Sequence, residues 1–155
     1  MSRIVPATVT AFLLTGGIAF AASSITAHGN ADQEVQKTPV VSNAQSQATF
    51  KLSDDGKELS YKLNTSRIDG VIFAHIHRGV RGENGPVVAD LLPKQDPSGT
   101  VSGRLASGVI TATKLKGPLA GQSLADLVKL MESGGAYTNV HTSTFPDGEV
   151  RGQIK

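Results

Sequence analysis

The sequence has no cysteine, no tryptophan and only four histidines among its 155 residues. The missing cysteines exclude disulfides and thiolate metal sites, so any transition metal must be held by histidine, carboxylate, methionine, amide or backbone atoms. Aromatic residues are few, five Phe and two Tyr. Long blocks of acidic or basic residues are also missing, so charge gives no reason to expect a nucleic acid partner. What is abundant is glycine, 17 residues, beside frequent Val, Thr and Ser. That mixture favours short strands joined by tight turns. The length suits one domain with a proper core and is too short for two of ordinary size.

The first 24 residues, MSRIVPATVTAFLLTGGIAFAASS, carry a positive Arg3, an apolar stretch from Ile4 to Phe20, then small residues. Ala19-Phe20-Ala21 fits an A-x-A cleavage site, so residues 1–21 read as a secretory signal peptide and the product as secreted or extracytoplasmic, in a periplasm or at a cell surface. A retained anchor is the rival reading. Pro6, Thr8, Thr10, Gly16 and Gly17 interrupt the apolar run, and no stable membrane span is expected after cleavage. Cleavage after Ala21 removes one basic residue and leaves a chain close to neutral. Cleavage after Ala27 is an alternative that would make His28 the N-terminus, where its amine and imidazole can chelate copper together.

Residues 22–46 are polar and small without a sustained period, and read as a flexible linker to a domain over 47–155. ATFKLS and ELSYKLN alternate apolar and polar residues around Asp54-Asp55-Gly56-Lys57, the pattern of a β-hairpin. GVIFAHIHRG reads as a third strand, followed by a Gly-rich loop in which Gly79, Gly82, Gly85 and Pro86 serve as backbone devices. VVADLL reads as a further strand, and TVSGRLAS and VITATKL as two more. One helix is expected near 123–133: Ser123 caps it, Asp126 favours its first turn, Leu124, Leu127, Val128 and Met131 repeat at helical spacing, and Gly134 and Gly135 stop it. AYTNVHTS, a turn at TFPDGE and VRGQIK form a second hairpin. Seven or eight short strands with one helix predict a mainly β fold, a sandwich or flattened barrel.

Two of the four histidines lie one residue apart, in FAHIHRGVRGENGPVV. Strand side chains return to the same face every second residue, so His75, His77 and Phe73 share a face, while Ile72, Ala74 and Ile76 take the other, towards the core. In AYTNVHT the same rule groups Tyr137, Asn139 and His141. If these strands are neighbours, three neutral imidazoles gather at one place. Three nitrogen ligands with an open position suit copper or catalytic zinc, whereas calcium and magnesium prefer oxygen. The plain alternative is that His-x-His hydrogen-bonds the GVRGENGP loop in place.

AHIHRGVRGENGPVVADL followed by GGAYTNVHTSTFPDGEVRGQI resembles the CHRD domain, first named from the extracellular developmental protein chordin and also found singly in exported microbial proteins. CHRD domains are distantly similar to Cu/Zn superoxide dismutase, so the resemblance implies a Greek-key-like sandwich or flattened barrel. In dismutases a His-x-His strand pair and a later strand histidine bind copper, and the matching residues here are His75, His77 and His141. The chain departs from that pattern after His77: no histidine intervenes before His141, so the bridging ligand and the zinc-site histidines have no counterpart. The dismutase cysteine is missing too, and the offset of Arg151 does not match the dismutase arginine. The resemblance therefore implies a mononuclear site, copper preferred and zinc second, in extracytoplasmic copper binding or handling. Two alternatives stand beside it: a metal-free extracellular module that binds a protein partner or supports structure, and a dismutase-like redox enzyme. No catalytic residue is assigned.

Several other residues invite a role. Arg78 and Arg81 are either an anion site or solvated loop charges. Tyr137 and Asn139 either orient an imidazole or pack across strands. Glu149 and Arg151 are placed to pair on one strand face.

Overall fold

A computed structural model describes residues 24–155. The signal peptide expected over 1–21 lies outside the described residues. No helix among them is long and apolar enough to cross a membrane.

Eight strands form one antiparallel sheet: β1 (Ile25–Asn30), β2 (Gln45–Leu52), β3 (Leu59–Ile68), β4 (Val71–Arg78), β5 (Val87–Leu92), β6 (Val101–Ile110), β7 (Ala136–Thr142) and β8 (Val150–Gln153). Their order is β5-β4-β7-β8-β1-β2-β3-β6. The two edges of the sheet approach each other. The Tyr61 hydroxyl on β3 donates to Leu91 O on β5 at 2.7 Å, and Lys116 N, beyond β6, donates to Val88 O at 2.8 Å. The result is a nearly closed barrel, the flattened-barrel form of the expected all-β fold. Phe50, Leu59, Leu63, Ile68, Ala74, Ile76, Val140 and Val150 belong to its buried core.

The expected hairpin is β2–β3, with Leu52 opposite Leu59 and Gly56 supplying a positive φ in the turn. The helix α1 (Leu124–Glu132) has a full capping box: Ser123 Oγ accepts from Asp126 N and Asp126 Oδ2 accepts from Ser123 N. That satisfies two backbone donors the helix would otherwise leave open. Leu124, Leu127 and Met131 bury its apolar stripe in the barrel core.

Two expectations are corrected. The segment read as a linker contains β1, which lies inside the sheet between β2 and β8. Thr26 and Lys155 exchange backbone hydrogen bonds of 3.0 Å, and Ile25 and Ala27 are buried. The apolar alternation was hidden because two of its three inward residues are Ala27 and Gly29. A larger residue at Gly29 would force its neighbours to move, since a Cβ would fall 2.2 Å from Ser46 Oγ and 2.9 Å from Val150 Cγ1. Cleavage after Ala27 would discard half of this strand, which removes the case for His28 as an N-terminal chelator. The second correction concerns TVSGRLAS and VITATKL. They are one strand, β6, that ends at Ile110 and runs into a 3-10 turn at Ala112–Lys114. Gly108 is not a break; it lets Tyr61 lie flat on the strand, and a Cβ there would sit 3.0 Å from the phenol oxygen.

β7 differs from the other strands because all seven of its residues are buried. Its inner side faces the core through Ala136 and Val140. Its outer side is covered by chain outside the sheet. Asn84 Nδ2 donates to Val35 O at 2.8 Å, and Gln36 Nε2 donates to Gly148 O at 2.7 Å. These bonds tie the segment after β1 to the loops after β4 and β7, across the face that carries the histidines.

Candidate metal centre

β4 and β7 are neighbours, and their register places Phe73 opposite His141, His75 opposite Asn139 and His77 opposite Tyr137. The two-residue period of a strand therefore gathers His75, His77 and His141 on one patch of the outer face. Ring centroids are 5.7 Å apart for His75 and His77, 5.5 Å for His75 and His141, and 6.1 Å for His77 and His141. One nitrogen from each ring can be chosen so that all three lie within 4.8 Å of one another. All three residues expected from the sequence are thus brought together.

Two of the rings are anchored through one nitrogen and open at the other. His77 Nδ1 donates to Gly85 O at 2.9 Å, and His141 Nδ1 donates to Pro146 O at 2.9 Å. A carbonyl can only accept, so these bonds fix the protonated nitrogen and leave Nε2 with its lone pair. His75 Nε2 lies 3.8 Å from Asp90 Oδ1, and Asp90 is held in turn by the Lys116 ammonium. The other three nitrogens, His75 Nδ1, His77 Nε2 and His141 Nε2, are buried without a hydrogen-bond partner. Buried polar atoms are nearly always paired, so three orphans at one place are a feature to explain.

The rings are held neutral. Burial pushes the His141 imidazole down to about 4, against the upward pull of its bond to Pro146 O and with further depression from His75 and His77. Burial also lowers His75, helped by His77 and opposed by Asp90. His77 is lowered by burial first, with the Arg151 charge adding to it. Neutral imidazoles with free lone pairs are the form that binds a metal.

The walls are aromatic. Phe73 packs against His75 and His141 at centroid distances of 4.9 and 4.4 Å, and Tyr137 stacks on His77 at 4.9 Å with the rings 8° from parallel. A cleft of about 500 Å³ borders His77 and His141, walled on its far side by Val35–Thr38.

The neighbours of the site partly differ from expectation. Tyr137 does bear on an imidazole: it stacks on His77, and its hydroxyl accepts from Gly85 N at 3.2 Å. Asn139 instead donates to Glu34 Oε2 at 3.3 Å. Arg78, at the end of β4, and Arg81, in the loop after it, are exposed charges. Glu149 and Arg151 do not pair. Glu149 accepts from the hydroxyls of Ser42 and Thr142, at 2.6 and 2.7 Å, while the Arg151 guanidinium turns to the β4–β5 loop. Asp90, Lys116 and Glu34 had no signal in the sequence. Asp90 occupies an outward position of β5 opposite His75, which only the pairing of strands reveals.

Comparison with curated proteins and with solved structures gives no match to the chain. The profile of the CHRD domain matches residues 25–154. That span begins at β1 rather than at Gln47, and it contains every strand and all three clustered histidines. The chain belongs to the CHRD domain family.

Proposed function

We propose that this CHRD domain binds one transition-metal ion through His75 Nδ1, His77 Nε2 and His141 Nε2, copper in preference to zinc, and that it does so outside the cytoplasm. The observation that carries the reading is three imidazoles brought within reach of a common ion, each with one buried, unpartnered nitrogen. The donor set fits such a group: the ligand atoms are neutral nitrogens, and two of the three rings are oriented by a hydrogen bond from the other nitrogen, to Gly85 O and Pro146 O, as metal-binding histidines are. Imidazole suits both copper and zinc, and the general affinity order places Cu(II) above Zn. When bound, copper would supply a one-electron redox couple or a cargo to be passed on. Export is supported by Arg3, the apolar stretch and Ala19-Phe20-Ala21.

Titration of the full chain at pH 7.5 with Cu(I), Cu(II) and Zn(II) tests this. One equivalent of copper, held more tightly than zinc and released in His75→Ala and His141→Ala, is the expected result. A folded wild-type chain that takes up neither metal overturns it.

One observation favours a second reading. The bonds from His77 to Gly85 O and from His141 to Pro146 O tie two loops to the sheet. A metal-free module that binds a protein partner would need those loops fixed. It predicts that the alanine variants lose stability while the wild type shows no metal-dependent change at all.

A further inference from the structure

Arg151 is the largest fully buried side chain of the domain, 1% exposed, on β8 one strand away from the histidines. Among the described residues it has no ion-pair partner; its charge is met by carbonyl dipoles, an amide and an aromatic face. Nη1 donates to Asn84 Oδ1 at 3.1 Å, and Nη2 donates to Val80 O at 3.0 Å and to Glu83 O at 2.7 Å. The guanidinium carbon lies 3.5 Å from the centroid of the Tyr137 ring. β8 and β4 flank β7 on opposite sides, so the phenol lies between Arg151 and His77. All three acceptors lie on the short loop after β4, and the next residue of that loop is Gly85, whose carbonyl takes the His77 Nδ1 proton.

Burying a guanidinium without a carboxylate is costly, and a salt bridge at the surface would be the cheaper use of an arginine. Here the planar fork reaches three acceptors that one ammonium could not satisfy in the same geometry. We propose that Arg151 is the positioning residue of the histidine cluster: by clamping residues 80–84 it places Gly85 O on His77, which keeps the proton on Nδ1 and Nε2 open towards His75 and His141. The proposal rests on the reading of these histidines as ligands only for its consequence in metal affinity. Its structural content stands apart from any metal.

The test uses the full chain, ¹⁵N-labelled at histidine and metal-free at pH 7.5, with the tautomer of each ring read from long-range ¹⁵N–¹H correlations. The wild type should show His77 as the Nδ1–H form alone. Arg151→Met should give a mixture at His77 while His141, anchored to Pro146 O, keeps its single form. Cu(I) affinity should fall about 10–100-fold in the same variant, the range seen when a partner that orients a ligand is lost. Arg151→Lys keeps the charge but not the fork and should fall between. A folded Arg151→Met chain with an unchanged His77 tautomer overturns the proposal. If that variant does not fold, Arg151→Lys, which keeps the charge and loses the fork, takes its place. It must then shift the His77 signal in the same direction, and an unaltered signal there overturns the proposal equally. Failure of the wild type to bind copper would count against the metal reading and leave the tautomer result standing.

Discussion

The barrel has two kinds of outer surface. Over β2 and β3 the outward residues, among them Gln47, Lys51, Ser60 and Lys62, are exposed and solvated. Over β7 and β8 the outward residues Tyr137, Asn139, His141 and Arg151 are just as polar, yet all are buried. The first surface follows the ordinary rule that a sheet faces core on one side and water on the other. The second spends chain to cover polar groups, through Val35–Thr38 and the loops after β4 and β7. Burial of polar groups disfavours folding unless each one is paired, and here three imidazole nitrogens are left open. The covered surface thus keeps unpaired polar atoms that the open one leaves to water, the three nitrogens among them.

The largest effect that can break this comparison comes from removing the ring at its centre. Tyr137 is 2% exposed, stacked on His77 and lying under Arg151. Tyr137→Ala should cost about 3–5 kcal/mol in urea denaturation, as expected for a large aromatic removed from a packed site. Lys62→Ala on the open surface should stay within about 0.5 kcal/mol. Similar costs for the two would mean that the covered face is not a packed layer. Metal should then sharpen the contrast. If the site holds copper as proposed and the unfolded chain does not, free copper at 100 times Kd should stabilise the wild type by about 2.7 kcal/mol. Lys62→Ala should gain the same amount and His75→Ala should gain nothing. A gain that survives His75→Ala would place the ion elsewhere.

The next effect is a pH dependence of the metal-free domain. The His141 pKa is about 4 when folded, below the 6.5 of an ordinary histidine. The unfolded chain therefore binds more protons between these values, and stability is full above pH 6.5 and lost as the pH falls towards 4. His75 and His77 shift in the same direction. After allowance for the solvent in the neighbouring cleft, His141 should account for about 2 kcal/mol of the loss. His141→Gln should flatten this limb in urea titrations at pH 4.5 and 7. An acid limb of unchanged depth in that variant would assign the loss to other groups.

The histidine cluster was legible in the sequence because its geometry is local on each side. A period of two fixes which residues share a face of β4 and of β7, and a single strand pairing joins them. The helix was legible for the same reason, through Ser123, Asp126 and its repeat of leucines. What surrounds the cluster was not. Asp90 meets His75 through the β4–β5 register, and Arg151 reaches back about 70 positions to Val80 and Glu83. β1 was missed because Ala27 and Gly29 are too small to mark an apolar face, although both are buried. In a sheet whose neighbours are distant in sequence, a histidine cluster can be read from spacing, but the groups that surround it cannot.

The smallest effect belongs to Glu34, which lies under the same cover. Burial raises its carboxyl to about 7, against hydrogen bonds from Asn139 and Gln36 and the charge of Arg151, which pull it down. A folded pKa above the unfolded value of 4.5 means that the folded chain holds the extra proton. The corresponding stability is full below about pH 4.5 and lost as the pH rises through about 7. This opposes the histidine limb over the interval they share, so the wild-type profile should be shallower than His141 alone would make it. Glu34→Gln keeps the shape and the neutral state at every pH. It should exceed the wild type by about 1 kcal/mol at pH 8, with solvent screening allowed for, and equal it at pH 4. Urea titrations at these two pH values separate the cases. A constant offset would mean that the substitution changed packing, whereas an offset that grows with pH would mean that the cover holds a carboxyl group in its neutral form beside the cleft.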